Sequence, residues 1–338
     1  MRLRISKLRQ RIFGRRRLRL AGAGRGGPVF VFSVHRSGGT LLMRLLNCHE
    51  KLVIWGEHAG ILNRLAEMAE VVAVHKSLNP LDDDGRELKR FVRNEGKTVA
   101  EFSPWAGPLD DASFLRAARG FAEEIFSRGL APGQRWGFKE IRYYRPELAA
   151  FLLELFPDAR FILLQRDLVE LAVSNILAPW SLAFIHERHP VLDEPTACKI
   201  IEDVLYGLIA FQHGFDVIAR KFPRRVLRLD YATLRDDGAE AMRAVLKFLR
   251  LEETAELLVA WRRTMALRLG DTDKTASGPL LAAGFIEQHA RAALPALQAE
   301  FAAMGTAPLL AQGPRRQRPY AAILGDHTAR EGDYPTLF

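Results

Sequence analysis

The sequence predicts an α/β fold, a central parallel sheet flanked by helices in three layers, and three observations carry that expectation. Uncharged runs suited to a sheet buried on both faces stand at VFVF, residues 29–32, and at FILL within RFILLQ, residues 160–165. Amphipathic helical stretches alternate with such strands, the pattern of crossover-connected parallel strands rather than hairpins. The length of 338 residues and a 48% hydrophobic composition give enough apolar side chains for one large core. A single domain over residues 25–304 is expected, with a basic, flexible arm over 1–24 and an irregular tail rich in Pro, Gly and Arg over 305–338.

Residues 28–46 read as a buried strand, a tight polar turn and an amphipathic helix whose Leu41, Leu42, Leu45 and Leu46 recur at helical spacing. The turn therefore lies at a helix N-terminus, where the first amides lack an intrahelical acceptor and the dipole is positive. Gly38 and Gly39 let backbone approach a ligand, Ser37 and Thr40 offer hydroxyls, and Arg36 adds a forked cation suited to phosphate or sulfate oxygens. The triphosphatase signature G-x-x-x-x-G-K-[ST] fails here, because no Gly stands five positions before Gly38 and Gly39 takes the place of the Lys.

Residues 51–55 form a short strand ending at Gly56, Glu57 and His58, and a helix runs from 60 to about 74. Glu57 is a candidate general base or an acid favourable to a helix start. Residues 76–111 read as long loops with a short helix at 87–94; Asp82, Asp83 and Asp84 suit a solvated turn better than a metal, and Phe102 and Trp105 line a pocket or pack a lid. A helix at 112–128 leads to a strand at 135–140 closed by Lys139, which by itself reads as an end charge. A helix at 146–156 with Pro at its start precedes the strand at 160–165, after which Asp167 is the natural N-cap of a helix through Ile176. Arg166 then stands at the strand's carboxyl edge and Ser174 two turns into the helix, so both can reach one phosphate. A helix over 194–222, kinked or broken near Gly207 or Gly214, leads to a buried strand at 224–230, Tyr231, a short turn and a helix at 239–249. Helices near 252–263 and 285–304 close the domain, with a polar loop at 269–275 between them.

Two stretches resemble sulfotransferases that use 3′-phosphoadenosine-5′-phosphosulfate (PAPS), most closely the tyrosylprotein and carbohydrate branch. Arg36-Ser37-Gly38-Gly39-Thr40-Leu41 is similar to their 5′-phosphosulfate loop, and residues 138–174 are similar to the motif that holds the 3′-phosphate. The resemblance implies a P-loop-like sulfotransferase fold and sulfuryl transfer to a hydroxyl on a glycan, lipid-linked sugar, metabolite or peptide tyrosine, with no metal required. It implies Glu57, Arg36 and Lys139 as catalytic residues, Glu57 because Cys48-His49-Glu50 and Gly56-Glu57 fall in the branch's register, with His58 the alternative base because the cytosolic small-molecule branch uses a His. It assigns nucleotide contacts to Arg36, Ser37, Gly38, Gly39, Thr40, Leu41, Arg166, Ser174, Tyr231 and Lys274. The chain departs from the pattern where Ile141 replaces a Pro, where Ala232 stands in place of a common Glu, and where the late Arg-Lys-Gly signature is absent.

The net charge of +9 matches the nine cations among residues 1–19, which include no acid, so the remainder is near neutral and no nucleic-acid partner is expected. Leu3, Ile5, Leu8, Ile12 and Phe13 interleave with those charges, leaving a solvated tail, an anionic membrane surface and a polyanion contact as readings of the arm. No apolar run of spanning length occurs, and the expectation is a soluble cytoplasmic enzyme, with peripheral membrane attachment as the variant. Two cysteines, Cys48 and Cys198, argue against a disulfide framework or structural zinc. The rival readings are a P-loop-type nucleotide or small-molecule kinase and a non-catalytic membrane or polyanion binder.

Overall fold

Five strands in a computed structural model, β1 (Val29–Phe32), β2 (Leu52–Trp55), β3 (Arg135–Glu140), β4 (Arg160–Gln165) and β5 (Val226–Asp230), form one parallel sheet in the order β2-β3-β1-β4-β5. The structure describes residues 26–78, 110–267 and 278–303. The arm, the tail, Asp82 to Asp84, the helix at 87–94, Phe102, Trp105 and Lys274 all lie outside the described residues.

The chain divides into two compact units. One contains the sheet and, among the described residues, 26–60, 130–146, 158–267 and 278–303; the other contains 61–78, 110–129 and 147–157. In the sheet unit the side chains alternate between two faces, as the period of a strand requires. Val29, Val31, Ile54, Ile162, Leu164 and Leu229 face a core shared with Leu42, Leu45 and Leu46 of α1 (Gly39–Leu46). On the opposite face Phe30 stacks on Phe138 with ring centroids 4.7 Å apart, and Phe32 meets Phe161 edge-on at 5.3 Å. Each such buried ring contributes about 1.5–3 kcal/mol by leaving water, which makes the two faces comparable anchors for the strand ends.

The second unit holds α2 (Ile61–Leu78), α3 (Asp111–Phe126) and most of α4 (Pro146–Leu155). Asp110 caps α3 by accepting from the Ser113 amide at 2.8 Å, and Leu115, Ala118, Ala122 and Phe126 form its buried stripe.

After β4 come α5 (Leu168–Ile176), α6 (Pro179–Arg188) and α7 (Glu194–Lys221), then β5, α8 (Tyr231–Asp236), α9 (Gly238–Leu249), α10 (Ala255–Ala266) and α11 (Ala283–Ala303). Four features differ from the sequence expectation. The helix α7 runs unbroken through Gly207 and Gly214; a Cβ at Gly214 would collide with the Tyr144 carbonyl, so this glycine serves close packing rather than a break. The strand β5 is an edge strand with only Leu229 buried, not a buried one. Residues after Tyr231 form the short helix α8 instead of a turn, capped by Asp230 through the Ala232 amide at 2.7 Å. The helix α6 carries no side-chain cap, and its weak apolar periodicity left it without a sequence signal. No single helix among the described residues is long and apolar enough to cross a membrane.

Candidate functional site

Register alone collects the site. Gln165 pairs with Asp230, so Arg166 and Tyr231 are one step beyond a matched pair at the carboxyl edge of the sheet. Trp55 pairs with Phe138, so Glu57 and Lys139 leave the same edge on adjacent strands. The strand β1 lies between these pairs and ends in the polar loop, and parallel α/β sheets place ligands at this edge.

The loop is tightened by Ser37, whose amide and hydroxyl both donate to the Val34 carbonyl, at 3.3 and 2.7 Å. Its hydroxyl is fully buried, so Ser37 shapes the loop, whereas Thr40 is exposed and Leu41 half-buried against the core. Arg36 adopts a left-handed φ of 63° and Gly38 one of 89°, a backbone that turns successive amides toward one side. A Cβ on Gly38 would strike the Tyr231 ring, and one on Gly39 would approach Ser33 Oγ and lie 3.2 Å from Lys139 Cδ. Both glycines are thus required by space. The helix α1 starts with no side-chain cap, and Leu42 N donates to the Gly38 carbonyl at 3.1 Å as the first helical bond. The amides of Gly39, Thr40 and Leu41 precede that bond and have no acceptor within the helix.

One flank of the loop gathers Arg166, Ser174 and Tyr231. Arg166 Nη1 donates to the Arg36 carbonyl at 2.8 Å, Arg36 Nε donates to Ser174 Oγ at 3.3 Å, and the Arg166 guanidinium lies 4.5 Å from the Tyr231 ring centroid. Asp167 caps α5 by accepting from the Glu170 amide at 2.9 Å, which fixes where Ser174 emerges. Asn175, absent from the sequence reading, is fully buried and donates to the His35 carbonyl at 3.1 Å, tying α5 to the loop. Its position beside Ser174 on the buried face of the helix was the available signal.

The other flank is an ion network. Lys139, only 5% exposed, donates to Glu57; Arg142 Nη1 reaches Glu57 Oε2 at 3.4 Å and Glu140 Oε1 at 2.7 Å. Glu140 is fully buried and accepts from the amides of His58 at 3.1 Å, Gly60 at 3.0 Å and Ile141 at 2.9 Å. These bonds hold the sharp bend at Ala59 and Gly60, whose φ values are 56° and 68°. Burial opposes ionisation of Glu140, yet the charges and hydrogen bonds of His58 and Arg142 bring its pKa below the ordinary carboxylate range. Neither Glu140 nor Arg142 was singled out from the sequence, where an acid and a cation at a strand end look like surface charges.

Of the two candidate bases, Glu57 presents a carboxylate side chain that is 36% exposed, while the His58 side chain is 12% exposed and packs edge-on to Phe138 at 4.5 Å. Burial lowers the His58 pKa. His35, at the head of the loop, is driven down to about 4, chiefly by burial and against the pull of Glu57. Among the described residues Ser33 Oγ is buried without a hydrogen-bond partner beneath Gly39. An orphan hydroxyl, open helix amides and a glycine cradle together fit a bound anionic group at this edge.

Residues 28–256 match the sequence model described as "Sulfotransferase family". Solved structures similar to this one include a sulfotransferase from Alicyclobacillus acidocaldarius, 15% identical with TM-score 0.43, covering 87% of this chain and 100% of that one. Sulfotransferase STF9 from Mycobacterium avium is also 15% identical with TM-score 0.43, over 84% of this chain and 78% of that one. The sulfotransferase domain from the curacin biosynthetic pathway is 17% identical with TM-score 0.42, over 77% and 83%. The sequence matches no curated protein.

Proposed function

Because the chain belongs to the sulfotransferase family, we propose that it moves a sulfuryl group from PAPS to an acceptor hydroxyl. The observation that carries the choice of donor is the meeting of Arg36, Arg166, Ser174 and Tyr231 beside the loop, through the contacts at 2.8, 3.3 and 4.5 Å. Two guanidinium groups and a hydroxyl at one corner suit a terminal phosphate such as the 3′-phosphate, which ATP lacks.

The amides of Gly39, Thr40 and Leu41 would hold the 5′-phosphosulfate, and the donor would supply the activated sulfuryl group. Lys139 and Arg36 neutralise charge on the sulfuryl and leaving phosphate oxygens, and Glu57 takes the acceptor proton. The acceptor oxygen forms its bond to sulfur while the sulfur–oxygen bond to the phosphate breaks, and the adenosine bisphosphate leaves with that electron pair. Lys139 and Arg142 share Glu57. The reading therefore has Lys139 pass to the sulfuryl oxygens and Arg142, anchored on Glu140, keep Glu57 in place.

Calorimetric titration with adenosine 3′,5′-bisphosphate, adenosine 5′-monophosphate and ATP with Mg²⁺ tests the donor. The bisphosphate should bind most tightly, and Arg166→Ala should weaken it at least tenfold, as expected for loss of a charge-assisted contact of about 1.5–3 kcal/mol. A preference for ATP with Mg²⁺ would favour the kinase instead.

A further inference from the structure

Arg166 is already engaged where the proposed function needs it free. Its Nε donates to Glu170 Oε2 at 2.9 Å and its Nη1 to the Arg36 carbonyl at 2.8 Å. A guanidinium offers two two-pronged edges, Nε with Nη2 and Nη1 with Nη2, and a phosphate is bound best when it takes both prongs of one edge. Each edge here has one prong occupied. The Arg36 carbonyl is part of the loop backbone and cannot leave without undoing the turn. The Glu170 carboxylate ends a side chain 43% exposed and can rotate into water.

Glu170 has an ordinary role open to it. With Asp167 it has capping-box spacing, in which the acid at the third helical position turns back to the capping residue's amide. Asp167 does its half by accepting from the Glu170 amide, but the Glu170 carboxylate is turned onto Arg166 instead.

We propose that Glu170 is a specificity-determining residue that competes with the 3′-phosphate for Arg166 and so limits how tightly the nucleotide is held. The proposal rests on the PAPS reading above. A carboxylate that returns to Arg166 as the phosphate leaves would shorten the residence of the spent bisphosphate, and product release limits turnover in many enzymes.

The test is calorimetry on the full chain at one fixed salt concentration, with wild type, Glu170→Gln, Arg166→Ala and the double variant. Adenosine 3′,5′-bisphosphate and adenosine 5′-monophosphate are the probes. Glu170→Gln should bind the bisphosphate about two- to fivefold more tightly, the range expected for releasing an exposed ion pair. The monophosphate affinity should stay within error, and the gain should vanish when Arg166 is Ala. Unchanged or weaker bisphosphate binding by Glu170→Gln, with Arg166→Ala still harmful, overturns the competition and leaves the donor reading intact. An equal gain for both nucleotides, or a gain that survives without Arg166, also overturns it, since either marks a general charge effect. A wild type indifferent to the bisphosphate, or to loss of Arg166, removes the donor reading and this inference with it.

Discussion

The two flanks of the loop use the same residue types in opposite ways. Among the contacts of Arg36 and Arg166 are bonds to a hydroxyl, a backbone carbonyl and an exposed acid, with the Tyr231 ring beneath Arg166. Lys139, Glu57, Arg142 and Glu140 form one chain of charges whose far end is fully buried on three backbone amides. Exposed pairs are worth at most about 1 kcal/mol and behave nearly additively. Removing one member of a buried network leaves another charge uncompensated, which costs about 3–5 kcal/mol and spreads beyond the altered residue. One flank is thus built from contacts of exposed groups, and the other from charges that hold one another in place down to a buried carboxylate.

The largest expected effect breaks the network at the end opposite Glu140. Lys139→Met should lower sulfuryl transfer from labelled PAPS, measured on any hydroxyl acceptor found by screening, by roughly 10²–10³, as for loss of one preorganised charge-stabilising donor. Affinity for adenosine 3′,5′-bisphosphate, which lacks the sulfuryl group, should change by less than about threefold. A parallel fall in bisphosphate affinity would move Lys139 to the nucleotide flank and erase the division.

Next in size is the buried end. Glu140→Gln replaces a carboxylate that accepts three amides and Arg142 with a group that has one acceptor oxygen, so either Arg142 and the Ile141 amide or the amides of His58 and Gly60 lose their acceptor. Urea denaturation should show a loss of about 2–4 kcal/mol. Glu170→Gln, on the exposed flank, should stay within about 0.5 kcal/mol. Similar losses for the two variants would mean that the flanks do not differ in kind.

The division also explains what the sequence disclosed. The strands β3 and β4 and the cap Asp167 are legible because apolar runs and helix starts are local signals. Arg166 was readable for the same reason, following a recognisable strand whose end fixes its place, whereas Tyr231 came from the resemblance. Glu140 was not, because nothing near it in the chain indicates that residues 58 and 60, some eighty positions earlier, bring their amides to its carboxylate. Resemblance supplied Lys139 and strengthened the strand-end reading of Glu57, and neither composition nor spacing could show that they pair. The stretch 194–222 was misread at its glycines because Gly has two uses, a break and a close approach, and only the neighbour at Gly214, the Tyr144 carbonyl, separates them.

The smallest expected effect concerns His35, where the two flanks meet, its carbonyl bound by Asn175 and its ring feeling Glu57, Arg142 and Lys139. Burial lowers its folded pKa from 6.5 to about 4, so between those values the unfolded chain binds more protons than the folded one. Stability then rises with pH across that window, and acidification from pH 6.5 toward 4 removes it, with a limiting slope of about 1.4 kcal/mol per pH unit for one histidine. His58 is shifted in the same direction and adds to the slope, while the lowered pKa of Glu140 extends the loss below the ordinary carboxylate range. Urea denaturation of His35→Gln at pH 7 and pH 5 isolates the first contribution. The wild type should lose more stability than the variant on acidification, by on the order of 1 kcal/mol. Parallel losses would show that His35 titrates as freely in the folded protein as in the unfolded chain, and that the head of the loop is open to water rather than sealed between the flanks.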